Sequence, residues 1–287
     1  AGDEGVDGSN PSEEGAGPGA VNAEAFARVP AHVELILSLL DESDFYVRYH
    51  TVQLLTALSA TNAHHLREAI MSHPMGVGRL MDMMLEREVI RNETLLLLIS
   101  LTRGDEDLRK LVAFEGAFER CFNIIREEGA ADGGIIVQDC LELCNNLLRG
   151  SPSNQTFFRE SSFLNKLPEV VLAKIPAPSA GGPPLAAQKA ANLLCALELV
   201  TLLVSDGQVR GVVKPSRGGE TDDAVAAELA ARDAAARATC RVANQAALVR
   251  VGMMDALLAL CLGQRAPNSV SVRVFAFRCL GDLVADS

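Results

Sequence analysis

Cysteine and histidine are the residues of this chain best suited to bind a metal ion. Cys140 and Cys144 lie four positions apart, so a helix would place both thiols on one face. No second pair of ligands follows them at the spacing of a zinc site, and His64, His65 and His73 are irregularly spaced. The seven cysteines are odd in number and fall mostly in apolar runs. We therefore predict buried free thiols, no metal and no cofactor.

Sequence motifs of catalysis are missing. The sequence has no phosphate-binding P-loop, no GxSxG nucleophile turn and no HExxH zinc motif. The segment MGVG at 75–78 carries two of the three glycines of a dinucleotide-binding loop, but it has no third glycine and no preceding strand. We therefore predict that the chain is not an enzyme.

The charge of the chain narrows the classes of partner and compartment. The net charge is −11, and residues 1–25 contain acids but no lysine or arginine. An acidic chain without a basic stripe is poorly suited to nucleic acid, so we predict no nucleic-acid partner. No secretory leader and no run of 18 apolar residues is evident, which predicts a cytoplasmic protein that contacts membranes only indirectly.

A short pattern recurs with constant register and indicates the elements of the fold. An aliphatic residue and an arginine open an apolar stretch, with leucines seven and ten positions after each arginine. The copies are Val47-Arg48 with Leu55 and Leu58, Ile90-Arg91 with Leu98 and Leu101, and Val272-Arg273 with Leu280 and Leu283. The first two arginines differ by 43 in number, close to the roughly 40–47-residue period of armadillo and HEAT repeats.

We therefore predict an all-α, armadillo/HEAT-like right-handed helical solenoid. Residues 1–30, rich in glycine, proline and acids, are predicted to be disordered. Residues 31–287 are predicted to form one repeat array, part of a longer head, with loop insertions at about 175–185 and 206–236. Among these residues, Asp44 or Ser43 is predicted to cap the first long helix.

Two groups of residues are candidates for an interaction surface. The first is a polar stripe at positions i, i+4, i+7 and i+11 of one predicted helix, made of Gln138, Glu142, Asn145 and Arg149. The second is the turn Asp132-Gly133-Gly134, whose glycines permit positive φ and close approach by a partner. An ordinary solvated helix face and a plain turn between helices remain the alternatives. The recurrent arginines are predicted to be structural.

Several ordered strings identify a family resemblance. They are SHPMGVGRLMD at 72–82, REVIRNE at 87–93, AFEGAFER at 113–120, DGGIIVQDCL at 132–141 and SNQTFF at 153–158. Together they resemble the globular head of the general vesicular transport factor family, golgin-like tethers of ER-to-Golgi and intra-Golgi transport. The resemblance is close over about 33–167 and looser onward to 286.

This resemblance implies a function and a set of partners. It implies an armadillo-like tethering head in a longer protein that forms a homodimer through a coiled coil. The implied partners are Rab-family GTPases, SNAREs and the conserved oligomeric Golgi complex, with peripheral association at Golgi and transport-vesicle membranes. The chain departs from the family pattern because it lacks the early repeats and the coiled-coil heptads, and because it carries the acidic segment at 1–30.

A different binding module on the same architecture is the alternative. It would be an armadillo-type adaptor or scaffold of another pathway, such as a ubiquitin-ligase substrate arm or a cytoskeletal scaffold. An import receptor of the armadillo type grips basic peptides with a ladder of tryptophans. The chain has no tryptophan, which argues against that variant.

Overall fold

The computed structural model describes residues 17–172, 185–205, 220–262 and 267–285, and all regular structure in these ranges is helical. The helices are α1 Pro18–Ala27, α2 Pro30–Ser38, α3 Phe45–Ser72, α4 Gly76–Met83, α5 Glu88–Thr102, α6 Glu106–Phe114, α7 Ala117–Glu127, α8 Ile135–Leu148, α9 Pro152–Glu160, α10 Leu167–Leu172, α11 Ala187–Val204, α12 Glu220–Arg250, α13 Met253–Cys261 and α14 Val270–Val284. Short 3-10 turns follow α2, α7 and α9. The all-α prediction is confirmed.

Five helices form a stacked row that organises the array. They pack side by side in the order α3, α5, α8, α11 and α14, and the shorter helices lie between them along the chain. Leu58, Leu101 and Leu283, ten residues after the recurrent arginines, are all buried on this row. Burying a leucine side chain contributes about 1.5–3 kcal/mol each. The repeating leucines therefore supply one continuous core rather than separate ones.

Local signals explain where several helices begin. The Asp44 carboxylate accepts from the backbone N–H of Tyr46 and Val47 at 2.8 and 3.0 Å, so Asp44 caps α3 as predicted. Asp105 caps α6 in the same way, accepting from the Leu108 N–H at 2.8 Å. Gly252, directly before α13, has a φ of +84°, a conformation that costs glycine little.

Helix α3 is longer than the sequence predicts. The sequence pattern predicts a long helix over 45–59 and a separate short one over 63–71, but α3 continues unbroken from Phe45 to Ser72. No proline or glycine interrupts this stretch. The Thr61 hydroxyl donates to the carbonyls of Ala57 and Leu58 at 3.3 and 3.1 Å, so it bonds within the helix instead of ending it.

The second predicted insertion is partly helical. Within this insertion the sequence left residues 224–237 open, as an alanine-rich helix or a disordered insert. They belong to α12, which runs from Glu220 to Arg250. Alanine has the highest intrinsic helix propensity, and it dominates this part of α12. Residues 206–219 and most of the first insertion, at 173–184, lie outside the described residues.

The predicted disorder of residues 1–30 is wrong over its second part. Pro18–Ala27 forms α1, with Pro18 at the helix start where its missing N–H is harmless. Helix α1 packs on α3, burying Ala27, and the Phe26 ring lies 4.8 Å from the His32 ring. These apolar contacts offset the cost of ordering the segment. Residues 1–16 lie outside the described residues.

Helix α11 is the one helix in the described ranges with the length and apolar composition of a membrane span. Its position in the array explains that composition. It packs between α8 and α14, and Leu193, Leu197 and Val200 are fully buried there. A helix enclosed by neighbours is apolar on most of its circumference.

Candidate interaction surface

Two charged members of the predicted stripe join neighbouring helices of the row. The Glu142 carboxylate on α8 accepts from the Arg103 guanidinium, at the end of α5, at 2.7 Å. The Arg149 guanidinium, just after α8, donates to the Glu198 carboxylate on α11 at 2.6 Å. Glu142 and Arg149 remain 36% and 41% exposed, so their outer edges are still open to solvent.

The two amide members of the stripe face α11. The Gln138 carbonyl oxygen accepts from the Gln188 amide at 3.0 Å. The Asn145 amide donates to the Cys195 carbonyl at 3.1 Å, and Asn145 is only 2% exposed. The structure therefore brings all four stripe residues into contacts between repeats. Their use by a partner remains a prediction.

The predicted turn also contacts α11. The Asp132 carboxylate pairs with the Lys189 ammonium. The Asn192 amide donates to the carbonyls of Ala131 and Gly133 at 3.1 and 2.8 Å. Two backbone carbonyls and one ion pair of the turn thus hold α11 in position.

The reason expected for the paired glycines is partly wrong. Gly133 and Gly134 have φ values of −70° and −73°, and the positive φ values of this turn fall at Gly129 and Ala130 instead, at +93° and +56°. Gly133 is needed for close approach within the chain. A Cβ there would lie 2.5 Å from a Val137 methyl and 2.7 Å from the Glu128 carbonyl oxygen.

The recurrent arginines are structural, as predicted. Arg48 donates to the Glu86 carboxylate at 3.2 Å and to a carbonyl in the preceding turn. Arg91 pairs with Glu128 at 3.4 Å. Arg273 donates to a carbonyl at the end of α13 at 3.4 Å. Arg48 and Arg91 thus connect the start of one row helix to the segment before the next, and Arg273 connects the start of α14 to the end of α13.

An Asn-Gln pair, present in α9 and again in α12, has a role that the sequence pattern did not reveal. In each copy the asparagine binds the end of the row helix that precedes it in the chain. Asn154 donates to the Leu147 carbonyl at 2.8 Å, and Asn244 donates to the Leu203 carbonyl at 3.0 Å. The last carbonyls of a helix lack partners within it, so these amides satisfy them.

The glutamine of each pair reaches the next row helix. Gln155 donates to the Leu148 and Leu202 carbonyls at 3.1 and 3.0 Å, which joins the ends of α8 and α11. Gln245 donates to the carbonyls of Asp282 and Ala285 at the end of α14, at 2.9 and 3.2 Å. The two copies therefore fix the spacing of successive row helices. The repetition of the Asn-Gln dipeptide was the signal in the sequence from which this role could have been predicted.

Carboxylates gather around Cys195 between α8 and α11. Burial, together with the nearby charges of Glu198, Glu142 and Asp139, raises the pKa of Cys195 to about 11. Burial also raises the pKa of Asp139, with Glu142 adding to the effect. The Cys195 thiol therefore stays protonated at neutral pH.

The remaining six cysteines lie in the interior of the array. All seven are free, and Cys195 alone is not fully buried. The thiol of Cys121, from α7, meets those of Cys140 and Cys144, a proximity that the sequence did not predict. A hydrogen bond with Cys121, together with burial, raises the pKa of Cys140. The prediction of buried thiols is confirmed for six of the seven.

One group of side chains in the described residues has the geometry to hold a metal ion. His64, His65 and Glu68 place ligand atoms within 4.8 Å of one another on the surface of α3. Glu68 is close to His64 and His65 because it follows them by about one turn of α3. His73 lies just after α3 and outside this group, and its Nδ1 accepts from the Met75 N–H at 3.1 Å.

Comparison with known proteins relates this geometry to a family. The chain is 40% identical over 265 residues to Golgin candidate 6 of Arabidopsis thaliana, covering 92% of this chain and 26% of the relative. It is 46% identical over 183 residues to the human general vesicular transport factor p115, covering 63% of this chain and 18% of the relative. The chain thus spans about a quarter of the plant relative and under a fifth of the human one.

Solved structures agree with the sequence relatives. A crystal structure of Uso1 superimposes with a TM-score of 0.74 at 28% identity, covering 92% of this chain and 34% of that one. A designed armadillo repeat protein superimposes with a TM-score of 0.55 at 12% identity, which supports the fold alone. No protein-family model matches the chain. By its sequence relatives and its fold, the chain belongs to the general vesicular transport factor family and corresponds to part of the armadillo-like head.

Proposed function

We propose that this chain is part of a vesicle-tethering head that acts as a protein-interaction scaffold in ER-to-Golgi and intra-Golgi transport. The observation that carries the proposal is the 40% identity to a golgin over 92% of the chain. The stacked helices support it, because a row of packed helices presents an extended, rigid surface and needs no catalytic group. The name of the human relative, general vesicular transport factor p115, supports a role in vesicular transport.

The proposal includes partners and a location. A Rab-family GTPase, SNAREs and the conserved oligomeric Golgi complex are the proposed partners, and the full-length protein is proposed to be a homodimer. The head is proposed to sit in the cytoplasm on Golgi and vesicle membranes through these proteins. The net charge of −11 supports indirect membrane contact, because anionic lipid headgroups repel an acidic chain.

A chimera tests the tethering function. Residues 33–167 of this chain would replace the matching segment of full-length human p115 in cells depleted of the native protein. We expect the chimera to restore cargo transport from the ER to the Golgi. The matched control carries Leu141→Asp, which places a charge at a fully buried core position. A folded chimera that reaches the Golgi and leaves transport blocked would contradict the proposal.

Vesicle binding tests the location separately. The purified chain is expected not to bind protein-free vesicles that contain anionic lipid at physiological salt. Flotation measures the bound fraction. Substantial flotation of the chain with such vesicles would mean that its membrane contact is direct.

A further inference from the structure

Three side chains that can bind a metal ion lie together on α3. His64 precedes Glu68 by four positions and His65 precedes it by three, and residues at these spacings are neighbours on a helix surface. One ligand atom from each side chain lies within 4.8 Å of the other two. His64 and Glu68 are exposed, and His65 is half-buried. An ion in solution can therefore reach all three.

The packing of α3 holds the backbone beneath this group. Leu66 and Ile70 are fully buried. They follow His64 and Glu68 by two positions each, which is about 200° around a helix. The two apolar side chains thus anchor one side of α3 in the core, and His64 and Glu68 lie on the opposite, outer side. The helix presents the ligands from a fixed backbone while their exposed ends can still rotate.

The distances fit an ion after a small closure of the group. Zinc binds imidazole nitrogen and carboxylate oxygen at about 2.0–2.2 Å. Three atoms 4.8 Å apart surround a point about 2.8 Å from each of them, so each atom would move inward by about 0.7 Å at most to reach these bond lengths. Small rotations of the exposed His64 and Glu68 side chains can supply a shift of this size.

The charges around the group leave its carboxylate available to a cation. Within the described ranges, Glu68 forms no ion pair. The adjacent cation, Arg67, is used elsewhere: its Nε donates to the Ala63 carbonyl at 2.9 Å, and its Nη1 would lie 3.2 Å from a Cβ added at Gly104, just after α5. The net charge of the chain, −11, also favours a bound cation.

The ligand types select the class of ion. Two imidazoles with one carboxylate suit zinc and related transition metals, whereas calcium and magnesium prefer sets of oxygen atoms. We propose that His64, His65 and Glu68 bind one Zn²⁺ ion, with water in the fourth position of a tetrahedral site. The sequence prediction of no metal considered His73 as the third ligand, but the helix supplies Glu68 instead. The inference does not depend on the tethering function.

Isothermal titration calorimetry with zinc chloride tests this proposal on the purified chain, with its thiols kept reduced by a phosphine. We expect one ion per chain to bind at micromolar zinc. Changing an outer-shell partner of a metal ligand costs about 10–100-fold in affinity, so His64→Ala and Glu68→Gln, which each remove a ligand, should weaken binding at least about tenfold. Both side chains are exposed, so neither substitution removes a core contact.

The matched control is His50→Ala. His50 is an exposed histidine on the same helix and lies outside the group, so its loss should leave zinc binding unchanged. Circular dichroism checks that each variant keeps the helical content of wild type.

Cobalt(II) is a second probe, because its visible absorption reports the geometry of the bound ion and a near-ultraviolet band reports thiolate ligands. We expect the visible bands of a four-coordinate ion, their loss in His64→Ala, and no thiolate band. The proposal is overturned if zinc does not bind at micromolar concentration or if His64→Ala and Glu68→Gln bind it as tightly as wild type. A thiolate band would also overturn it, since the metal would then be held by cysteine.

Discussion

The joint between α8 and α11 differs in kind from the joint between α3 and α5. Across the first, side chains make an ion pair, an amide pair and buried amide bonds to backbone carbonyls, involving Arg149, Gln138, Asn145 and Asn192. Across the second, Ser59 and Ser100 share a hydroxyl hydrogen bond of 2.7 Å, and Arg48 of α3 pairs with Glu86, just before α5, at 3.2 Å. Apolar packing stabilises both joints, but directional bonds fix the register of the first.

This difference indicates where single substitutions should destabilise the array most. A buried amide that binds backbone carbonyls leaves those carbonyls without partners when it is removed. When one hydroxyl of the Ser59–Ser100 pair is removed, only the other hydroxyl loses its partner. We therefore expect substitutions of buried amides to have large effects at the α8–α11 joint, and expect small effects for its exposed ion pair and for the hydroxyl pair at the α3–α5 joint.

The largest effect is expected for Asn192→Ala. Asn192 is fully buried and satisfies the carbonyls of Ala131 and Gly133. Leaving two buried acceptors unpaired should lower the free energy of unfolding by about 2–4 kcal/mol. Urea denaturation followed by circular dichroism measures this change. A loss below about 1 kcal/mol would mean that the turn rearranges freely.

Gly133→Ala should be next in size. The added Cβ would lie within 3 Å of the Val137 methyl and the Glu128 carbonyl oxygen, so the turn must shift. We expect a loss of about 1–3 kcal/mol, the usual range for overpacking. Gly134→Ala is the matched control, since nothing lies within 4 Å of a Cβ at that position. Equal losses for the two variants would disprove the close-approach explanation.

Ser59→Ala should have a smaller effect. It removes the bond to Ser100 at the α3–α5 joint while keeping a small side chain in a buried position. We expect a loss of about 0.5–1 kcal/mol in the same urea assay. If the loss equals that of Asn192→Ala, the contrast between the joints is wrong.

The smallest effect is expected for the Arg149–Glu198 pair. Its side chains are 41% and 39% exposed, so water screens their attraction. A double-mutant cycle with Arg149→Gln and Glu198→Gln should give a coupling energy of about 0.2–1 kcal/mol that shrinks as salt is added. A larger, salt-independent coupling would show that the pair is effectively buried.

The sequence predicted the parts of the fold that repeat locally. The leucines at fixed distances from Arg48, Arg91 and Arg273 marked row helices, because helical periodicity and repeat register are both visible in one chain. The same logic left part of α12 undecided. A run of alanines has high helix propensity but lacks the apolar stripe of a packed helix, so residues 224–237 fitted either a helix or a disordered insert.

The sequence could not predict how the candidate site is used. Gln138, Glu142, Asn145 and Arg149 form a polar stripe on α8, and the pattern alone cannot tell solvent from a neighbouring helix. Their partners lie on α5 and α11, far along the chain. The apolar groove between α6 and α9, beside Phe114, was missed for a similar reason. A large apolar residue such as Phe114, at the end of a helix, is predicted from the sequence to be buried. Its exposure becomes evident only when the packing of α6 against α9 is known.

Hydrogen–deuterium exchange of wild type and Asn192→Ala tests the central contrast most directly. Repeats in such arrays contact only their neighbours, so a local break should stay local. We expect faster exchange in α8 and α11 of the variant, with exchange in α3 and α5 unchanged. Equal acceleration in all four helices, or no change in α8 and α11, would contradict it.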